Sequence, residues 1–302
     1  MSRRIPPGRN PDTQVSPDSR LHFNKNIIIF IKIPLLKNLK YPINQLKISI
    51  IVIKMAYVFN YVFQKKDDRD YIYKPQNLKL NPSHFITDVA MFTAPILDQG
   101  PIGSCLANAA NSLFYITSKG AINLSRLQLY MCYRAVDGSS LTKDTGGTIR
   151  GCMKAISDYG MCDEILWPYI TPNYPKLAPS PAFKTTYPIL NYVYTFIIQD
   201  LTYIKECLAL GNPVISGIYV YASFQSPKAN KYGVIPMPNV KKERFLGGHA
   251  ILLVGYDDVS KVFKFQNSWG TKWGDSGYGY IPYNYITSPS LASDLCTVSF
   301  NL

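Results

Sequence analysis

Residues 247–270 read GGHAILLVGYDDVSKVFKFQNSWG, and no other stretch constrains the fold as tightly. An apolar run over 249–256 meets Asp257 and Asp258, turns, and returns as a second strand-like run over 262–268. Two such runs around a short polar turn read as an antiparallel hairpin. The midpoint between His249 and Asn267 falls at residue 258, inside that turn. A hairpin closing there brings His249 and Asn267 together across the ladder. Alone, a histidine at the head of an apolar strand reads as a satisfied core residue. With an asparagine carbonyl accepting one ring N–H, it reads as a base whose other nitrogen is free.

A base of this kind needs a nucleophile, and residues 98–110, DQGPIGSCLANAA, supply a candidate. Leu106, Ala109, Leu113 and Ile116 recur at helical spacing, and Gly120 stops the pattern, so Cys105 falls in a first helical turn. The positive end of the helix dipole favours thiolate over thiol there, and the thiolate is the attacking form. Of the three histidines, at 22, 84 and 249, only His249 follows Cys105.

Two more helices are expected, one capped by Ser125, turning Leu127, Tyr130 and Met131 inward and ending near Gly138, the other over about 148–159. Six prolines mark 167–188 as a loop or crossing. Strands are expected near 189–198, 213–220, 249–256, 262–268 and 278–282, with a helix near 201–210. Helices first and strands later indicate an α+β chain.

Taken together, these segments resemble the papain-like cysteine peptidases, the family of the cathepsins. The matching residues are Gln99-Gly100, Gly103-Ser104-Cys105, Gly146-Gly147, His249-Ala250, Asn267-Ser268-Trp269-Gly270, Trp273-Gly274 and Gly277-Tyr278. The resemblance spans about residues 83–300 and implies a two-lobed fold. A helical lobe would face an antiparallel β-barrel-like lobe, with the active site between them. It implies Cys105 as nucleophile, His249 as base and then acid, Asn267 as its orienter, and Trp269 as a shield for that pair and part of the substrate site. Gln99 would donate to the oxyanion, with Gly146, Gly147 and Gly248 lining the substrate groove. The implied reaction is endopeptidase cleavage of a polypeptide through a thioester, with no cofactor, no metal and a monomeric enzyme. Acyl transfer to an amine, as in transglutaminase-type enzymes, uses the same residues and remains an alternative.

The sequence departs from the family at Ile102, where a disulfide cysteine is usual, and at Leu106, where tryptophan is usual. Neither Asp144 nor Thr145 restores the missing cysteine. Setting Cys105 aside leaves five cysteines, at 132, 152, 162, 207 and 296, which cannot all pair. Most of them are expected to be small buried hydrophobes, and the dismantled disulfide framework favours a reducing compartment, intracellular or within a virion.

The chain carries a net charge of +13 over 302 residues, which raises a third possibility, a basic nucleic-acid-binding protein. The charge is uneven, however: residues 1–54 hold ten basic and two acidic side chains, and neither of their apolar runs is long enough to span a bilayer. This leader is read as a disordered tail, a removable prosegment, a signal peptide interrupted by Lys32, or upstream sequence translated ahead of Met55. Its Ile, Asn and Lys richness suits an AT-rich genome such as that of a large DNA virus or a protist. Residues 55–82 are expected to be an extended arm, or an atypical prosegment crossing the groove, and 83–302 the peptidase domain.

Overall fold

A computed structural model describes residues 57–85, 93–174, 186 and 192–300. The leader assigned to 1–54 lies outside these residues, as does most of the proline-rich stretch.

Three helices come first: α1 (Cys105–Thr117), α2 (Arg126–Val136) and α3 (Ile149–Tyr159). The Ser125 cap read from the sequence holds, and Thr148, read as the first residue of its helix, proves to be the cap of α3. The Ser125 hydroxyl accepts from Gln128 N at 3.3 Å, and the Thr148 hydroxyl accepts from Gly151 N at 2.9 Å. Gly120 ends the α1 turn with φ of 82° and donates its N–H to the Tyr115 carbonyl. Helix α1 is buried on nearly every side, beyond the single stripe its periodicity suggests. In α2, Leu129 and Tyr133 are the deeply buried partners of Leu127 and Tyr130, while Met131 stays half-buried.

The strands follow: β1 (Ser83–Phe85), β2 (Tyr192–Phe196), β3 (Val214–Tyr221), β4 (Phe245–Asp257), β5 (Val262–Gln266), β6 (Tyr278–Pro282) and β7 (Ala292–Phe300). They form an open antiparallel sheet in the order β2-β7-β3-β4-β5-β6, with β1 added on β4. The second lobe is therefore an unclosed sheet, not a barrel sealed on itself. Three short helices accompany it: α4 (Leu201–Ala209), α5 (Pro227–Tyr232) and α6 (Tyr283–Ile286).

Strand β4 is the spine. Ala250, Leu252 and Val254 pack into the core shared with α1–α3, whereas Ile251 and Leu253 pack into a second core with α4 and the aromatic residues of the sheet. Burial on both faces explains the unbroken apolar run. A register shift between Leu253 and Gly255 then moves Tyr256 to the second core, the side change expected of a β-bulge. That bulge also corrects the simple hairpin arithmetic. Leu252 pairs with Gln266, the ladder stops there, and His249 meets Asn267 just beyond its end.

Residues 57–82 hold no helix and no named strand, only isolated bridges from Asn60 to Gly248 and from Ile72 to Phe196. Polar anchors fix this arm to the body. Asp294 Oδ2 accepts from Tyr61 Oη at 2.8 Å and Gln64 N at 3.1 Å. Arg150 pairs with Asp70, and the buried Glu206 accepts from Tyr73 Oη at 3.1 Å and from the Gln76 and Leu78 N–H groups.

Candidate active site

Cys105 is the first residue of α1, fully buried where that helix meets β4. The turn that delivers it is tied down by Asp144, whose carboxylate oxygens accept the Gly103 N–H at 3.0 and 2.9 Å and also bond the Tyr130 hydroxyl. Ser104 bonds the Tyr169 hydroxyl, which in turn donates to the Gln99 carbonyl at 2.7 Å. A hydrogen-bonded clasp thus joins the turn after Ile102 to the loop before Gly146, where the resemblance leads one to expect a disulfide.

His249 lies on β4, fully buried, with Nε2 2.9 Å from Asn267 Oδ1. The same oxygen accepts the Ser268 N–H at 2.9 Å. An amide oxygen only accepts, so Nε2 carries the proton and Nδ1 holds the lone pair. Nδ1 is buried without a hydrogen-bond partner, which leaves it available as a base. Trp269 stacks on His249 with centroids 5.1 Å apart and closes the ring off from water.

Gln99 is fully buried, its Oε1 fixed by the Ser268 hydroxyl at 2.8 Å. Its Nε2 donates to the Ile102 carbonyl at 3.1 Å and to the Val58 carbonyl of the arm at 3.3 Å. The arm continues over the predicted groove residues. Tyr61 N donates to the Gly248 carbonyl at 3.0 Å, and Val62 N donates to the Gly147 carbonyl at 3.1 Å. A Cβ on Gly146 would overlap the Asn60 carbonyl, and one on Gly248 the Tyr61 carbonyl, so both glycines permit close approach of another backbone. At the far end Tyr57 stacks on Trp269 at 4.3 Å, nearly parallel, and Phe59 stands edge-on to His249 at 5.9 Å.

Burial sets the electrostatics. Burial pushes the Cys105 thiol up to about 12, and the backbone N–H groups that favour thiolate do not offset it. Burial also lowers His249 to about 4, against the opposing effect of Asn267. Buried in this way the pair is a neutral thiol and a neutral imidazole, so desolvation outweighs the helix terminus that the sequence pointed to.

Residues 86–298 match the family described as papain family cysteine protease. The chain belongs to that family. An uncharacterized peptidase C1-like protein of Acanthamoeba polyphaga mimivirus is 34 % identical over 211 residues, 66 % of this chain and 67 % of that protein. The gamete and mating-type specific protein A of Dictyostelium discoideum is 29 % identical over 65 % of this chain, which spans only 42 % of its length. Among solved structures, xylellain, a cysteine protease from Xylella fastidiosa, superposes with a TM-score of 0.73 at 31 % identity. That superposition covers 81 % of this chain and 96 % of xylellain. This papain-family member is thus a cysteine-type peptidase, with an α+β, two-lobed fold.

Seven of the eight site residues named from the sequence contact one another or the arm, and Cys105 heads α1, the helix that packs on the strand carrying His249. All six cysteines are free thiols, and four of the five outside the site are fully buried or nearly so. The sequence reading missed the clasp of Asp144 and the carboxylate of Asp294, since each acts on a segment far away in the chain. Among the described residues no helix is long and apolar enough to cross a membrane, and no group of side chains could hold a metal.

Proposed function

We propose that this chain hydrolyses internal peptide bonds through Cys105, His249 and Asn267, and that residues 57–63 block the groove until displaced. The observation that carries the reading is the His249–Asn267 hydrogen bond at 2.9 Å, which leaves Nδ1 as the unpartnered base. Nδ1 takes the Cys105 proton, and the sulfur attacks the substrate carbonyl carbon while the C=O electrons move onto oxygen. Gln99 Nε2 and the Cys105 N–H hold that oxyanion, the kind of donor whose removal elsewhere costs about 10²–10³ in kcat. Collapse expels the amine, which takes the proton from His249, and leaves a thioester on Cys105. Water then attacks the thioester, giving its proton to His249, and the acid leaves as the thiol is restored.

The arm's role rests on its position: a carbonyl on the oxyanion donor, backbone N–H groups on Gly147 and Gly248, and rings over Trp269 and His249. The test uses the full chain carrying Tyr57→Ala and Phe59→Ala to loosen the cover. After mixing with a peptide substrate and quenching in acid, mass spectrometry should find the acyl fragment on Cys105, and on no residue in His249→Ala. Undiminished hydrolysis by Cys105→Ala would refute the mechanism.

A further inference from the structure

The turn that delivers Cys105 is gripped from two sides. In front, the Gly103 N–H donates to both carboxylate oxygens of Asp144, at 3.0 and 2.9 Å, a charge-assisted contact with a residue 41 positions away in the chain. Behind, the Ser104 carbonyl accepts from the Asn108 side-chain amide at 2.9 Å and from the Asn108 N–H at 3.1 Å. The peptide unit between Ser104 and Cys105 lies between these two holds. Its N–H is one of the two oxyanion donors proposed above, so whatever fixes Gly103 also aims that donor.

Asp144 is itself braced. Its Oδ1 takes the hydroxyl of Tyr130, a fully buried residue of α2. One helical turn on, the fully buried Arg134 lies over the Tyr130 ring at 4.1 Å. Its Nη1 donates to the carbonyls of Ser140 at 3.1 Å and Lys143 at 2.6 Å, which pins the loop leading into Asp144. Ile102 stands where the family usually has a cysteine, and it is packed into the core of the helices. The joint is thus rebuilt one residue along, from backbone N–H to carboxylate.

The carboxylate also has an opposite effect. Its negative charge adds to burial in disfavouring the Cys105 thiolate, although burial is the larger cause. Position and charge therefore pull against each other at this one side chain, and substitution can separate them.

We infer that Asp144, braced by Tyr130 and Arg134, is a positioning residue for catalysis: it stands in for a covalent link between the Cys105 turn and the Gly146 loop and holds the oxyanion donor in place. This rests on the peptidase reading above. A catalytic group let slip by a fraction of its hydrogen-bond length loses much of its effect, so the clasp should be read in kcat.

The test uses the full chain in the Tyr57→Ala/Phe59→Ala background. Asp144→Ala should lower kcat about 10- to 100-fold while KM changes less than about threefold. Asp144→Asn keeps an acceptor for Gly103 and a donor for the Tyr130 oxygen, and should recover kcat to within about fivefold of the parent. Both variants remove the charge, so the pH midpoint of Cys105 alkylation by iodoacetamide should fall in both. Asp144→Ala turning over as fast as the parent, or Asp144→Asn as slow as Asp144→Ala, overturns the assignment. An unmoved midpoint in both folded variants overturns the placement of the charge. Should Asp144→Ala fail to fold, residue-resolved hydrogen exchange settles the matter. The Gly103 N–H should be protected in the intact chain and exchange faster in Tyr130→Phe. Free exchange at Gly103, or equal protection in the two chains, overturns the clasp. No turnover by a chain whose Cys105 alkylates freely overturns the peptidase reading instead, and the alkylation midpoints still test Asp144.

Discussion

The body and the arm are held by different physics. The body closes around two apolar cores that share β4, with α1 buried on nearly every side and capped helices around it. The arm over 57–82 buries Tyr61 but is otherwise fixed by carboxylates, ring stacking and two isolated bridges. Apolar burial is insensitive to pH and hard to undo piecemeal, whereas polar anchors respond to protonation and can open locally. On the proposal that residues 57–63 block the groove, the arm can be released without unfolding the body.

The largest effect expected separates chemistry from cover. His249→Ala should lower kcat/KM by about 10⁴-fold or more in the arm-loosened background, as loss of a base in such triads does elsewhere. Protection of the Val62 amide from hydrogen exchange should survive, because Gly147 and Asp294 still hold the arm. Next in size, Leu113→Ala in α1 should cost about 2–5 kcal/mol in denaturant unfolding, the usual range for a buried leucine. A loss that large in an arm substitution such as Tyr57→Ala would blur the distinction between the two regions.

Acid should act on the arm before it acts on the body. His249 sits at about 4 when buried, and exposure to water on opening of the arm is expected to return it toward 6.5. The open state therefore binds more protons between those values, and the covered state loses up to about 3 kcal/mol as pH falls through that window. Asp294 works in the other direction, because its raised pKa lets the covered state hold a proton more tightly as pH falls. Exchange at the Val62 amide, corrected for intrinsic rates, should thus rise below pH 6.5, rise more steeply in Asp294→Asn, and flatten in His249→Gln. The smallest effect is Tyr57→Ala. Losing the stack on Trp269, about 1 kcal/mol, should speed Cys105 alkylation about fivefold without moving the thermal midpoint.

The same contrast governs what the sequence could reveal. Helix α1 and the β4–β5 hairpin were legible because their apolar period is local and their punctuation, Gly120 and Asp257-Asp258, is strong. The hairpin's register was not, because the bulge near Gly255 leaves no signature in composition. Strand β7 escaped notice because ASDLCTVSF mixes polar and apolar residues, and it becomes a strand by lying between β2 and β3. The triad candidates were readable as residue types in order, and the glycines only through the family resemblance. What Asp144, Asp294 and Glu206 hold was unreadable, since each carboxylate finds its partners through tertiary packing alone.

The central claim is that Cys105 is a nucleophile activated by His249 and covered by residues 57–63. It is tested most directly by mapping iodoacetamide adducts in the intact chain, in Tyr57→Ala/Phe59→Ala, and in that double variant with His249→Ala added. The account predicts slow labelling of Cys105 in the intact chain, rapid and selective labelling when the arm is loosened, and loss of that selectivity without His249. Equal, slow labelling of Cys105 and the other cysteines in all three would contradict it.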